Sequence, residues 1–221
     1  MADAVIFDMD GTLIDSVDLH ARAWQDALKK FGKIVDFPVI REQIGKGGDQ
    51  ILPLFLTKEE VDEFGDELTE YRGKHFKAKY IDQIKPFPKV RELFEKIKED
   101  GKKIAIGSSA KAKELDHYMK LVNVADLVDV KTCADDTAQS KPHPDIFEVA
   151  LEKLQCYAQQ TVVIGDSPYD AEAARKINIP AIGVLCGGFS REILEDAGTV
   201  AIYGGPADIL GSYAQTMIAL S

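Results

Sequence analysis

Short runs of β-branched residues alternate along this chain with segments whose apolar residues recur every three or four positions. After Pro88, for example, Val90, Leu93, Phe94 and Ile97 have the spacing of one face of a helix. Alternating strands and helices favour a parallel sheet that is covered by helices. The strands that we predict are residues 4–7, 103–107, 127–131, 161–165, 181–185 and 199–202. We therefore expect an α/β fold with a doubly wound parallel sheet.

Residues 15–84 interrupt this alternation, because they contain helical patterns and no convincing strand. Gly45, Gly47 and Gly48 separate two of the helical patterns, and alternation resumes after residue 84. We expect residues 1–14 and 85–221 to form an α/β core. Residues 15–84 are then a helical cap that is inserted after the first strand.

The charge and the amino-terminal segment limit the partners of this chain. Its formal net charge of −10 argues against a general affinity for nucleic acid or anionic lipid, since both require clustered Lys and Arg. A basic leader and a long apolar segment are both missing from the sequence, so we expect no signal peptide, no membrane span and a cytoplasmic location. Cys133, Cys156 and Cys186 are widely spaced, which fits neither a disulfide framework nor a zinc site.

Acidic side chains follow two of the predicted strands. Asp8 and Asp10 come directly after residues 4–7, and Asp166 and Asp170 come after residues 161–165. Because ligands bind at the carboxyl ends of the strands in open parallel sheets, we expect these carboxylates to converge. Such a cluster is unfavourable unless a cation neutralises it, and ligands that are all oxygen favour Mg²⁺. A single aspartate here could equally be a turn residue or a helix cap, and Asp170 is the clearest such case.

Two further residues provide groups that bind phosphoryl oxygens. Ser108 follows the strand at residues 103–107, and Lys141 lies in the segment Ser140-Lys141-Pro142. A hydroxyl and an ammonium group can both bind a phosphate. Taken alone, Ser108 also fits a helix cap and Lys141 a solvated loop charge.

The order of these residues resembles the four motifs of the haloacid dehalogenase-like superfamily, in its phosphatase and phosphomutase branch with a helical cap. The first motif is the stretch Phe7-Asp8-Met9-Asp10-Gly11-Thr12-Leu13, and the second, third and fourth are met by Ser108, Lys141 and Asp166 with Asp170. The resemblance covers nearly the whole chain. It implies a phosphatase-like enzyme that acts through a phosphorylated aspartate.

The same resemblance implies a role for each of these residues. Asp8 is the expected nucleophile and Asp10 the general acid and base. The expected Mg²⁺ ligands are Asp8, the backbone carbonyl of Asp10, Asp166 and, directly or through water, Asp170. The phosphoryl oxygens are expected to bind Ser108, Ser109 and Lys141.

Candidates for substrate recognition lie in the predicted cap. His20 and Trp24 are one helical turn apart. Trp24 fits core packing, whereas the run around His20 resembles the β-phosphoglucomutases, in which the matching His lies beside the acid/base Asp. Lys46, in a glycine-rich segment that resembles the family's specificity loop, is a candidate anion ligand.

Three features separate this chain from the β-phosphoglucomutases. Gly48 stands about where they carry an Arg, and Ala110 replaces a second phosphate-binding hydroxyl. The pair Gly165-Asp166 with Asp170 follows the phosphatase form of the fourth motif, whereas the mutases usually have Glu-Asp there. We therefore predict a Mg²⁺-dependent phosphatase for a small phosphorylated metabolite, such as a sugar phosphate or phosphoglycolate. The alternative is a phosphomutase. A phosphonatase that uses Lys46 and a non-catalytic binding protein are less favoured, and the oligomeric state is left open.

Overall fold

A six-stranded parallel sheet with the order β5-β4-β1-β6-β7-β8 forms the centre of the molecule. The computed structural model describes residues 2–219. The strands are β1 (Ala4–Phe7), β2 (Ile14–Asp15), β3 (Lys85–Pro86), β4 (Lys103–Gly107), β5 (Val130–Thr132), β6 (Thr161–Gly165), β7 (Ala181–Val184) and β8 (Ala201–Tyr203). The helices are α1 (Val17–Lys30), α2 (Phe37–Arg41), α3 (Gly48–Phe55), α4 (Lys58–Lys79), α5 (Val90–Glu99), α6 (Ala112–Leu121), α7 (Asp145–Leu154), α8 (Pro168–Lys176), α9 (Arg191–Ala197) and α10 (Pro206–Gly211). This architecture confirms the predicted α/β fold.

The central strand β1 is fully buried because helices cover both faces of the sheet. Val5 and Phe7 face one layer, where Phe7 stacks on Phe94 of α5 with 4.6 Å between the ring centroids. Ala4 and Ile6 face the opposite layer, which α7 and α8 build. A strand that is buried on both sides is continuously apolar, and for this reason β1 could be recognised in the sequence.

Two predicted strands have different bounds in the structure. Residues 127–131 were expected to be extended, but β5 begins at Val130. Leu127 and Val128 instead pack against the core from a loop, which accounts for their apolar character. The strand expected at residues 199–202 is Ala201–Tyr203.

The connections into and out of the helical segment lie side by side. Strands β2 and β3 form an antiparallel ribbon in which Ile14 pairs with Pro86 and Asp15 with Lys85. The helices between them, α1 to α4, bury a hydrophobic cluster of their own around Trp24, Leu28, Ile40, Leu52 and Leu68. That residues 15–84 act as a substrate cap stays a prediction. Within residues 2–219, none of the helices combines the length and the hydropathy that crossing a bilayer requires.

Asp26 joins the first and last helices of this segment. Its Oδ2 accepts hydrogen bonds from His75 Nε2 at 2.7 Å, the Tyr80 hydroxyl at 2.8 Å and Lys79 Nζ at 3.0 Å. Partial burial by itself raises the pKa of Asp26, but these donors outweigh it and lower the pKa to about 2. The ionised carboxylate therefore stabilises the contact between α1 and α4.

Replacing Asp26 with asparagine is expected to lower the free energy of unfolding by about 1 kcal/mol near neutral pH, after allowance for solvent screening. Because the folded pKa of Asp26 lies below its unfolded value, the contribution is complete above about pH 4 and is lost as the pH falls through 2. Urea unfolding of both proteins at several pH values measures this. A difference that stays constant down to pH 2 would contradict the role of the charge.

Candidate active site

The predicted site residues meet at the carboxyl edge of the sheet. Asp8 follows β1, and its backbone N–H donates to the carbonyl of Ile164 in the neighbouring β6 at 2.9 Å. Ser108 follows β4, on the other side of β1, and Asp166 follows β6. The central position of β1 therefore brings residues from three strand ends together.

Three buried carboxylates form a cluster at this edge. Side-chain oxygens of Asp8, Asp166 and Asp170 all lie within 4.8 Å of one another. Burial raises the pKa of Asp8 to about 7, although Lys141 opposes the shift. Burial and the charge of Asp8 also raise the pKa of Asp166. Carboxylates this close to one another repel when ionised, so the cluster requires positive charge.

Lys141 supplies one positive charge from within the protein. Its Nζ lies 2.6 Å from Asp8 Oδ1 and 2.7 Å from Asp170 Oδ1, and it donates to the carbonyl of Gly107 at 3.1 Å. Only 1% of the residue is exposed, so it is not a solvated loop charge. Burial disfavours the ammonium form, but the charges of Asp170 and Asp8 raise the pKa of Lys141 and keep it protonated.

Asp170 caps a helix and also faces the carboxylate cluster, and its role as a Mg²⁺ ligand stays a prediction. Asp170 Oδ2 accepts hydrogen bonds from the hydroxyl of Ser167 at 2.6 Å and from the backbone N–H of Ser167 at 3.2 Å. These bonds belong to the capping box at the start of α8. Asp170 Oδ1 faces the cluster. That oxygen is close to Lys141 Nζ, but the angle does not suit a hydrogen bond, and among the described residues no donor satisfies it.

The cluster fits a divalent cation of the Mg²⁺ type. Its donors are carboxylate oxygens, and their separation is comparable with the ~4 Å between opposite ligands of Mg²⁺. Gly11 and Gly187 leave the space that the carboxylate of Asp166 occupies, since a Cβ at either position would collide with it. The carboxylate of Asp10 lies outside this group, and the predicted use of its backbone carbonyl stays a prediction.

Asp10 belongs to a separate hydrogen-bonded chain. Its Oδ1 accepts from the hydroxyl of Ser16 at 2.7 Å and contacts His20 Nε2 at 2.9 Å. His20 Nδ1 in turn contacts the guanidinium of Arg72. An arginine can only donate, so Nδ1 accepts and Nε2 carries the proton that is directed at Asp10. Burial alone would raise the pKa of Asp10, but His20 and Ser16 outweigh it and lower the pKa.

The predicted phosphate ligands differ in position. Ser108 is completely buried, and its Oγ accepts a hydrogen bond from the backbone N–H of Ala110 at 3.1 Å. Ser109 borders a cavity that Asp8 and Asp10 also line. Ser108 Oγ thus has its own proton available for a further acceptor, and the Ser109 hydroxyl lies beside the cavity.

The helical segment forms the opposite wall of this cavity, where His20, Trp24 and Lys46 are found. Trp24 packs in the hydrophobic cluster of the helical segment, as the sequence predicts, and the same side chain also lines the cavity. The ammonium of Lys46 donates to Gln43 Oε1 at 2.7 Å and lies 4.5 Å from the centroid of the Tyr169 ring.

Sequence reasoning missed three residues of the site. Arg72 and Glu114 line the cavity, and Thr12 Oγ1 lies 3.2 Å from Asp8 Oδ2 and 3.3 Å from Asp166 Oδ1. Thr12 could have been found, because it belongs to the first motif. The other two carry no signal in the sequence, since further charged residues lie within two positions of each on its helix.

Comparison with known proteins places the chain in a family. The model of the haloacid dehalogenase-like hydrolases matches residues 5–184. A phosphorylated carbohydrates phosphatase from Thermotoga maritima is 29% identical over 209 residues, which are 94% of this chain and 96% of that protein.

Solved structures extend the comparison to the fold. A hydrolase from Pseudomonas syringae is 30% identical and has a TM-score of 0.90, with 97% of this chain and 99% of that chain covered. A β-phosphoglucomutase from Clostridium difficile, at 22% identity and a TM-score of 0.84 over 97% of this chain and 96% of its own, shares the fold. The predicted fold and the predicted phosphatase class are confirmed. The family model covers most of the chain, and the protein therefore belongs to the haloacid dehalogenase-like hydrolases.

Proposed function

We propose that this protein is a Mg²⁺-dependent phosphomonoester hydrolase that acts on a small phosphorylated metabolite through a phosphorylated Asp8. The observation that carries the proposal is the buried cluster of Asp8, Asp166, Asp170 and Lys141 beside the hydrogen-bonded Asp10. A sugar phosphate fits the name of the Thermotoga maritima relative, and phosphoglycolate is a further candidate.

The cluster supports binding of the phosphoryl group. Asp8, Asp166 and Asp170 would hold the cation, which when bound neutralises charge on the phosphoryl oxygens and on the attacking carboxylate. Lys141 contacts Asp8 directly. Its ammonium would therefore lie beside the phosphoryl group that Asp8 attacks and could bind one of its oxygens. The Ser108 and Ser109 hydroxyls would donate to the remaining oxygens. Since a carboxylate and a phosphate repel each other, such positive charge and donors supply much of the catalysis.

The reaction that we propose has two displacements. An oxygen of Asp8 forms a bond to phosphorus while the bond to the leaving oxygen breaks, and Asp10 gives that oxygen a proton. A water molecule then attacks the phosphoryl group, Asp10 takes its proton, and the bond to Asp8 breaks to release phosphate. The lowered pKa of Asp10 means that it is ionised in the free protein at neutral pH. The role of general acid therefore requires Asp10 to be protonated before the first displacement.

Removal of divalent cations is expected to stop phosphate release. With EDTA, the rate should fall by a factor of about 10² or more, because the repulsion within the cluster is then no longer compensated. Adding Mg²⁺ should restore the rate and raise the thermal unfolding midpoint. Phosphate release that is indifferent to chelation would contradict the metal site.

A phosphomutase is the second candidate, and the contact between His20 and Asp10 favours it. The two functions differ in where the phosphoryl group goes. Incubation with β-glucose 1-phosphate and a bisphosphate activator should give free phosphate from a phosphatase and glucose 6-phosphate from a mutase. Isomerisation that outpaces phosphate release would overturn the hydrolytic assignment.

A further inference from the structure

The cavity above Asp8 is bordered by two opposite charges that come from different parts of the chain. Arg72 extends from α4 in the helical segment, and Glu114 extends from α6 beside the sheet. Within residues 2–219, neither makes an ion pair with an oppositely charged side chain at 4.0 Å or less. Buried charges without a partner are costly, so both side chains are suited to a ligand with complementary groups.

The guanidinium of Arg72 is held in place by its neighbours and keeps N–H donors that are not used within the described residues. It lies over the rings of Trp24 and Phe76, at 5.2 and 5.1 Å from their centroids, and one Nη donates to His20. Its buried Nε has no acceptor within the described part of the chain. Lys46 also keeps donors beyond the one that it gives to Gln43. Arg72 is the better placed of the two for a carboxylate, because the rings of Trp24 and Phe76 fix its guanidinium and a planar guanidinium matches a carboxylate.

Glu114 is similarly fixed and incompletely satisfied. It is 8% exposed, and its Oε1 accepts a hydrogen bond from the Tyr118 hydroxyl at 3.0 Å. Its Oε2 accepts no hydrogen bond from residues 2–219. A carboxylate in this position binds a ligand group that donates hydrogen bonds, and an ammonium group would also balance its charge.

We propose that Arg72 and Glu114 together select the alcohol part of the substrate. The substrate is then a phosphomonoester whose leaving group carries both a carboxylate, which Arg72 binds, and an ammonium or hydroxyl group, which Glu114 binds. This inference rests on the proposed phosphatase function and narrows its substrate class. Phosphoserine and 3-phosphoglycerate have both groups, phosphoglycolate has only the carboxylate, and glycerol 3-phosphate has only hydroxyls.

Isothermal titration of the Asp8→Asn protein with these four compounds in the presence of Mg²⁺ tests the inference, because binding is then measured without turnover. Phosphoserine or 3-phosphoglycerate is expected to bind about 10-fold to 100-fold more tightly than the two compounds that lack one group. Tighter binding of phosphoserine assigns an ammonium to Glu114, and tighter binding of 3-phosphoglycerate assigns a hydroxyl. Equal affinities for all four, or no binding, would overturn the proposal.

Two variants in the same background assign each contact. Glu114→Gln keeps the shape and should remove most of the advantage of phosphoserine over phosphoglycolate. Arg72→Gln should weaken the carboxylate ligands about tenfold relative to glycerol 3-phosphate. Glu148→Gln, at an exposed position on α7, is the matched control and should change none of the affinities. Thermal unfolding of each variant shows that it is folded.

The outcome for the phosphatase function is separate. Wild-type protein with Mg²⁺ that binds the four compounds in the expected order, but releases no phosphate from them or from a panel of sugar phosphates, refutes the function and leaves the recognition site. Release from all four with equal affinities refutes the recognition site and leaves the function.

Discussion

Replacing Asp8 with asparagine is expected to lower phosphate release by a factor of about 10⁴ or more. An amide in this position cannot form the covalent bond to phosphorus. The other residues of the cluster bind charge, so they do not replace the lost nucleophile. The fold should be retained, since removing one of three buried carboxylates reduces their mutual repulsion. A discontinuous phosphate assay with Mg²⁺ measures the rate, and thermal unfolding reports the stability.

Asp3→Asn is the control for this substitution, because Asp3 precedes the same strand and is exposed. It should leave the rate unchanged. Mass spectrometry after rapid acid quenching should detect a phosphoryl group on wild-type protein and none on the Asp8 variant. Near-normal turnover by the Asp8 variant would refute the mechanism.

Replacing Lys141 with methionine is expected to affect both activity and stability. Methionine fills similar space but leaves Asp8 and Asp170 without their shared ammonium, which lies 2.6 and 2.7 Å from them. Breaking a buried ion pair in this way costs about 3 kcal/mol or more of unfolding free energy. Phosphate release should fall by a factor of about 10² to 10³, because a positive charge near the phosphoryl group is lost.

The response to Mg²⁺ separates this effect from simple loss of packing. A dication offsets part of the missing charge, so Mg²⁺ should stabilise the Lys141→Met protein more than it stabilises wild type. Urea unfolding with and without Mg²⁺ measures the difference. The exposed Lys113→Met is the control and should behave like wild type. Equal stabilisation of wild type and the Lys141 variant would argue against a cation that shares the cluster with Lys141.

The sequence allowed the sheet and the carboxylate cluster to be predicted for the same physical reason. Strands buried on both faces are continuously apolar, and the polar residues that follow them must lie at one edge of a parallel sheet. The sequence alone therefore predicts that Asp8, Asp166 and Asp170 lie together, as the structure has them. Their catalytic roles stay predictions, of which the Asp8 variant tests the first.

Two charged residues of the cavity wall, Arg72 and Glu114, could not be predicted in this way. Arg72 lies on α4, where charged residues such as Lys74 and Lys77 follow it and spacing does not distinguish it from them. Glu114 lies one turn before Tyr118 on α6, where the sequence pattern does not distinguish it from a solvent-exposed helix residue. Only the structure shows that these two side chains border the same cavity as Asp8.

The ribbon of β2 and β3 has a consequence for how such proteins diversify. Because the chain leaves the sheet and returns to it at paired residues, the ends of the helical segment are already adjacent. Inserting or exchanging a segment at such a point adds little loop-closure entropy and leaves the order of the sheet unchanged. The ribbon therefore makes the helical segment an exchangeable module: a different one could alter which molecule is recognised while the strand ends that carry the carboxylates stay in register.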